Sequence, residues 1–438
     1  MATCTQNPGR LSDLADAIKA KELSPTDLVQ RYLDRIETVQ PIAEPWREVD
    51  AKRAMAVASE REAQADRGEI LGPLHGIPFG VKDIIDVEGL RTRCNCRALQ
   101  DCAPSRSDAE VVLALRAAGA IVLGKVHTTE FAFFDPSPAR NPHNTDHTPG
   151  GSSSGSGAAV ASGTVPVALG TQTFASVNRP AAYCGIAAIK PSTKLLSTFG
   201  VTPLAPLYDT VGFFGWTVED ALCVFEAIMP AYLSPTKKEI KQTSRRIVTI
   251  NDPLTADASS EMLRVFHHTV DKLRENGFEV TTQPPPTAFQ RIYDLHWSTM
   301  VYEIGRIHKN LLELPEDMVG LRLREAIKEG LSIETDRYLD ERKELGDIRK
   351  QFFERFSEVD GFLGPATPEP ASEGLESTGN PKYIAPWTAL GGPIVSLPSG
   401  SDHNRNLPLG CILTGAPGSD LEMCGLARQV ASALDLSP

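Results

Sequence analysis

Long apolar runs are missing from this chain. None approaches the roughly 18 residues needed to cross a bilayer, and no membrane association is expected. The stretch from Met1 to Asp16 has no basic segment leading into an apolar one, the mark of a secretory leader. A basic excess is missing too. Lys and Arg number 44 against 56 Asp and Glu, leaving a net charge of -12. A nucleic-acid groove binder carries the opposite sign, so no nucleic-acid partner is expected. A disulfide framework is also absent. The 8 cysteines are scattered over 438 residues, as suits free thiols in a reducing compartment, and the expected location is the cytoplasm. Cys94, Cys96 and Cys102 lie close together but match no common zinc spacing. No metal and no cofactor are expected.

What is there is ordinary globular material. Hydrophobic residues make up 41% and charged residues 23%, enough for a large core. Residues 9 to about 65 read as helices. Leu11, Leu14, Ala15 and Ile18 form one apolar face, and Ser24-Pro25 supplies an N-cap followed by proline at the first helical position. From about residue 74 short apolar runs alternate with helical ones, which argues for an α/β sheet. Ser107 to Glu110 has the form of a capping box opening a helix over Val111 to Ala118. Strands are expected at Ala120–Leu123, Ile247–Ile250, Phe278–Thr281, Gly361–Leu363, Ile394–Leu397 and Gly410–Leu413. Helices are expected at Ala158–Ser162, Ser259–Asn276 and Asp420–Leu434, and residues 290–358 read as an outer helical region. The loops Phe134–Thr148 and Ala366–Pro381 are rich in Pro, Asn, Ser and Gly and long enough to act as lids.

Three glycine-punctuated stretches carry the chemistry. Gly76-Ile77-Pro78-Phe79-Gly80-Val81-Lys82-Asp83 holds a lysine. Gly150-Gly151-Ser152-Ser153-Ser154-Gly155 and Gly170-Thr171-Gln172-Thr173-Phe174-Ala175-Ser176 hold serines. No histidine lies inside any of them, although His75 and His147 flank two. Alone, the serine–glycine run is equally a linker, a phosphate cradle or a serine-bearing turn at a helix start. A serine hydroxyl needs a base, and a lysine kept neutral by burial can be one. A lysine buried in an ordinary ion pair, for example with Asp83, is the plain alternative.

Together the stretches resemble the amidase signature family. That family carries lysine in G-I-P-x-x-V-K-D, a first serine in G-G-S-S-G-G and a nucleophilic serine in G-T-[DQ]-T-G-G-S. The lysine falls on Lys82, the first serine on Ser152 and the nucleophile on Ser176. The lead-in Gly72-Pro73-Leu74-His75-Gly76, the stretch from Gly124-Lys125 to Glu130-Phe131, Arg179-Pro180-Ala181, Gly200-Val201 and Asp209-Thr210-Val211-Gly212 also fit. Gly391 to Pro398 fits more loosely. The resemblance covers essentially the whole chain. It implies an α/β fold with a large mixed central sheet covered by helices on both faces. It also implies one domain over 1–438: an N-terminal helical layer at 1–65, a catalytic core from 66–235 and 360–438, and a more variable, mostly helical region at 236–359.

The resemblance further implies a catalytic triad of Lys82, Ser152 and Ser176, with a cis peptide before Ser152. Lys82 takes a proton from Ser152, which relays one from Ser176. The backbone N–H groups of Thr173, Phe174, Ala175 and Ser176 would hold the oxyanion. The family's paired glycines are here Phe174 and Ala175, and a requirement for positive φ at either would strain the turn. Gln172 matches a malonamidase-like sub-pattern, in which an arginine three residues after the nucleophile binds a substrate carboxylate. Arg179 holds that position, with a structural ion pair as the alternative role. Phe174, Phe133, Phe134, Tyr208 and Trp387 are candidates for the pocket wall. His127, His143 and His147 are expected to be loop hydrogen-bonders and Cys184 to be packing.

The leading expectation is hydrolysis of a small amide, anilide or carbamate by a stand-alone enzyme, with the small molecule as its partner and a homodimer as the common oligomer. The second is the glutaminase subunit of a tRNA-dependent amidotransferase; the altered T-G-G-S turn and the looser C-terminal match weigh against it. A non-catalytic scaffold is the third.

Overall fold

Continuous runs of Val, Ile, Ala and Gly, with no polar alternation, build the central strands. Such runs belong to strands buried on both faces. The computed structural model describes residues 3–229, 245–402 and 404–436. Its strands are β1 Trp46–Val49, β2 Pro78–Lys82, β3 Ile121–Val126, β4 Val167–Gln172, β5 Ala187–Lys190, β6 Thr210–Gly215, β7 Arg246–Ile250, β8 Glu279–Gln283, β9 Gly361–Pro365, β10 Ile394–Asp402 and β11 Leu407–Thr414. Among the described residues they form one mixed sheet of 11 strands in the order β1-β3-β2-β4-β6-β5-β10-β11-β9-β7-β8. Every residue of β2 to β6 and of β11 is buried.

The helices are α1 Leu11–Lys19, α2 Pro25–Ala43, α3 Ala51–Asp66, α4 Glu110–Ala117, α5 Ser154–Ala161, α6 Asn178–Cys184, α7 Val218–Ile228, α8 Ser260–Glu275, α9 Phe289–His308, α10 Leu321–Ser332, α11 Thr335–Arg355, α12 Ala385–Leu390 and α13 Asp420–Ala433. The Ser24 side chain accepts from Thr26 N and Asp27 N, as the N-cap requires. Ser259 caps α8 in the same way, through Met262 N. The expected capping box at Ser107–Glu110 is not formed. The helix starts at Glu110 with Ala109 as an N-cap that offers no side-chain bond. A capping signature needs its serine at the boundary, and here the chain turns into the helix two residues later. The N-terminal layer is not purely helical either, since β1 inserts between α2 and α3 and pairs with β3. The region 236–359 supplies sheet as well as helices. Within it β7 and β8 pair in parallel and extend the sheet beyond β9. The boundary expected at 235/236 lies outside the described residues.

The sheet positions two segments. β2 runs parallel to both β3 and β4, and Lys82 is the last residue of β2. Thr171 and Gln172 end β4. Ligand sites in α/β sheets lie beyond the carboxyl ends of parallel strands, and the three motif stretches converge there. All eight residues of α5, SGSGAAVA, are buried. Their small size brings the helix close: a Cβ on Gly155 would stand 2.3 Å from His127 N and 2.4 Å from Pro45 O.

Candidate active site

Lys82 lies in the interior, fully buried. Its Nζ is 2.8 Å from Ser152 Oγ, 2.8 Å from Thr171 Oγ1 and 3.4 Å from the Thr171 carbonyl. No carboxylate pairs with it among the described residues. Asp83, the plain partner on sequence grounds, faces Lys125 instead at 3.1 Å. Burial therefore pushes the Lys82 pKa well below the ordinary lysine value, and the more distant Asp209 and Cys94 only partly offset this.

The Gly151–Ser152 peptide is cis. Ser176 lies in the turn between β4 and α6, 7% exposed, and its carbonyl accepts from Ser153 N at 3.3 Å. Among the described residues no hydrogen bond joins Ser152 to Ser176. Phe174 and Ala175 are absent from the residues with positive φ, so the turn holds both without the strain their Cβ atoms would suffer in the left-handed region. Among the described residues no acceptor is found for the backbone N–H groups of Thr173, Phe174, Ala175 and Ser176. Buried N–H groups are nearly always paired, and these four carry no protein acceptor among the described residues.

The neighbouring atoms are held from several sides. Gln172 Oε1 accepts from Val177 N at 2.8 Å and Asn178 N at 3.0 Å. Thr173 Oγ1 donates to Asp209 at 2.6 Å, and burial raises the Asp209 carboxyl against that bond and those from Leu204 N and Ala205 N. Sequence patterns alone assigned no role to Thr171, Asp209, His296 or Thr388. Asp209 sits in a stretch that fits the family pattern, which was its only signal.

Arg179 is fully enclosed. Its guanidinium donates to the Gly151 carbonyl at 2.7 and 3.2 Å, to the Gly379 carbonyl at 2.6 Å and to Thr378 Oγ1 at 2.9 Å. Neither the expected ion pair nor any other carboxylate is found on it among the described residues. Burial lowers its pKa to about 10. Arg179 thus ties the loop expected as a lid, Ala366–Pro381, to the peptide preceding Ser152. The other expected lid, Phe134–Thr148, pairs with the first: Thr148 N donates to Ser372 O, and His147 Nδ1 meets Ala371 O at 2.8 Å. His75, His143 and His147 each contact a backbone carbonyl. His127 is buried with Nδ1 unpartnered.

The aromatic candidates separate. The Phe174 ring packs edge-on against Tyr293 and His296 of α9 and reaches Trp297. Phe133, Phe134 and Trp297 line a cavity of about 350 Å³ together with Arg322 and Ser377. Tyr208 is buried behind the site, its ring 4.1 Å from His296 and its hydroxyl on Thr299. Trp387 is not at the pocket wall. It packs with Phe289, Phe352 and Phe362 in the core beneath α9, because α12 turns its apolar side toward that cluster.

The site thus holds a serine in a turn with unpartnered backbone N–H groups, a second serine, and a buried lysine with no carboxylate partner among the described residues. The comparisons with known proteins give the class. The model of the Amidase family matches residues 27–424, and the chain belongs to that family and is an enzyme acting on carbon–nitrogen bonds. It is 31% identical to the A-type subunit of the glutamyl-tRNA(Gln) amidotransferase of Halalkalibacterium halodurans, with 93% of each chain covered. The corresponding subunit from Anaeromyxobacter sp. is 30% identical, over 98% of this chain and 96% of the relative. Among solved structures, the peptide amidase of Stenotrophomonas maltophilia superposes with a TM-score of 0.85 at 26% identity, covering 97% of each chain. A chain from a vestigial complex related to an s-triazine catabolic enzyme gives 0.87 at 26%, covering 97% of this chain and 98% of the other.

These relatives overturn two expectations. Hydrolysis of a small amide, anilide or carbamate by a stand-alone enzyme is not what full-length relatives at about 30% identity do under their names. A partner list confined to a small molecule and a second copy, without nucleic acid, fails for the same reason, since they are subunits of an assembly named for a tRNA. Composition misled here. A net charge of -12 describes the chain as a whole, and it does not speak to the partners of a subunit within an assembly. No helix among the described residues is long and apolar enough to cross a membrane.

Proposed function

We propose that this chain is the glutamine-hydrolysing subunit of a tRNA-dependent amidotransferase. Ser176 Oγ attacks the side-chain carboxamide carbon of glutamine. Its proton passes to Ser152, whose own proton passes to neutral Lys82. The tetrahedral oxyanion rests on the N–H groups of the Thr173–Ser176 turn. Collapse expels ammonia, which takes the relayed proton, and leaves a glutamyl ester on Ser176. Water attacks the ester by the same route in reverse, giving glutamate and restoring the hydroxyl. The ammonia passes to a partner protein that holds the tRNA-borne glutamyl group.

The full-length likeness to glutamyl-tRNA(Gln) amidotransferase subunits supports the substrate. The observation that carries the chemistry is Lys82, buried with no carboxylate in ion-pair contact among the described residues and 2.8 Å from Ser152 Oγ. Eight free cysteines fit a cytoplasmic setting. The test is mass spectrometry of the protein quenched in acid after mixing with glutamine, alone and with its co-purified partners. A glutamyl adduct on the peptide carrying Ser176, absent from Ser176→Ala, is expected. Ammonia release with no dependence on Ser176 would contradict the proposal.

A further inference from the structure

Two of the free N–H groups in the nucleophile turn belong to peptides whose carbonyls are gripped from outside the turn. The Thr173 carbonyl lies 2.9 Å from His296 Nε2, and its peptide carries the Phe174 N–H. The Phe174 carbonyl accepts from Thr388 Oγ1 at 2.7 Å, and its peptide carries the Ala175 N–H. The C=O and N–H of a planar trans peptide point in opposite directions. A donor fixed on the carbonyl therefore fixes where the N–H aims and polarises it further. Thr388 Oγ1 accepts from Gln172 Nε2 at 2.9 Å, so its own proton is free to donate, and the Phe174 carbonyl at 2.7 Å is a nearer acceptor than the Ile384 carbonyl at 3.4 Å.

His296 is fully buried, with its ring 4.6 Å from that of Phe174. Its other nitrogen, Nδ1, lies 3.0 Å from the Ala385 carbonyl. Both neighbours are acceptors. Burial lowers the ring's pKa to about 3 against the pull of both carbonyls, and a neutral ring has one N–H to offer the two. Both residues come from outside the three motif stretches, on α9 and α12, where the turn's glycines have been replaced.

We infer that His296, as the Nε2–H tautomer, and Thr388 are positioning residues that aim the Phe174 and Ala175 N–H groups at the developing oxyanion. Donors of this kind act on charge present only in the transition state, so their loss lowers kcat and leaves KM nearly unchanged. This rests on Ser176 being the nucleophile.

The experiment measures glutamine-dependent ammonia release by the chain with its co-purified partners, in six forms: unmutated, Ser176→Ala, His296→Gln, His296→Asn, Thr388→Val and Thr388→Ser. The amide nitrogen of Gln reaches the place of Nε2, and that of Asn only the place of Nδ1. His296→Asn and Thr388→Val are expected to lower kcat about 10-fold or more, with KM within about threefold. His296→Gln and Thr388→Ser are expected to recover most of the rate. Should His296→Asn fail to fold, the Thr388 pair decides alone. Unchanged kcat in Thr388→Val, or a rate loss in both His296 variants that follows only their melting temperature, overturns the inference. Equal activity in Ser176→Ala, or none in the unmutated assembly, instead overturns the nucleophile or the substrate beneath it.

Discussion

At the scale of single residues, the proposed mechanism turns on a lysine kept from its usual partners. Lys82 ends a buried strand, and the nearby Asp83 is already engaged by Lys125. Its folded pKa lies below its unfolded value of about 10.4. Between the two values the unfolded chain binds a proton that the folded chain does not, so stability rises with pH across that window. Lys82→Met removes this penalty. The variant is expected to be inactive, losing at least about 10³-fold in kcat, yet to melt no lower than the unmutated protein at pH 7. Its advantage should narrow as pH rises toward about 10. Scanning calorimetry at pH 6, 7, 8 and 9 checks the trend, and a Met variant that melts lower at every pH would show that Lys82 is charged and paired. In the unmutated enzyme kcat/KM should fall as pH drops through the depressed pKa of Lys82. The three residues proposed as the triad were picked out in the sequence by their glycine-punctuated stretches and the family resemblance those stretches carry, and the structure brings Lys82 and Ser152 together. His296 and Thr388 were not, because their contacts with the turn join residues more than 120 positions apart and leave no local pattern.

At the scale of elements, close approach decides more than propensity. Helix α5 has no strong helix-forming surface and packs by smallness. Gly155→Ala places a Cβ against two backbone atoms that cannot swing aside, at 2.3 and 2.4 Å. It is expected to cost about 3 kcal/mol or more, or to prevent soluble expression. Gly346, exposed within α11, has nothing within 4 Å of its Cβ position. Gly346→Ala should therefore stabilise by about 0.5–1 kcal/mol. Urea titration of both variants separates a packing glycine from an idle one, and a stabilised Gly155→Ala would refute the packing role. Clear caps placed the start of α2 and the whole of α8 from sequence to within a residue or so. The strands β1, β2, β4, β5 and β6 were not assigned. Their runs are short, and their pairing is set by partners far away in the chain, such as β4 with β6. The capping signature at Ser107 failed because tertiary contacts hold that segment: Ala109 N donates to Asp86 O and Glu110 N to Phe199 O.

At the scale of the whole molecule, composition bounded the chain as globular and the alternating runs as α/β, but the charge pointed to the wrong company. Charge describes the surface of one chain, and an assembly can divide its tasks. The chain is expected to co-purify with other subunits when isolated gently under a tag, and to release ammonia from glutamine faster in that state than alone. Arg179 latches the 366–381 loop to the peptide before Ser152, and the 134–148 loop pairs with that loop through Thr148 and His147. Arg179→Met leaves the Gly151 and Gly379 carbonyls and Thr378 without their donor. It should lower stability by about 2–4 kcal/mol and expose the 366–381 loop to limited proteolysis. An unchanged digestion pattern would show that the loop is held by other contacts.

The most direct measurement follows the amide nitrogen itself. Glutamine labelled with ¹⁵N in its side-chain amide is supplied to the chain and its co-purified partners, with glutamyl-tRNA(Gln) as acceptor. Label in the glutaminyl group on the tRNA, formed by the unmutated assembly and lost with Ser176→Ala, is the predicted result. Label that reaches the tRNA equally well without the Ser176 hydroxyl, or an unmutated assembly that transfers none, would contradict it.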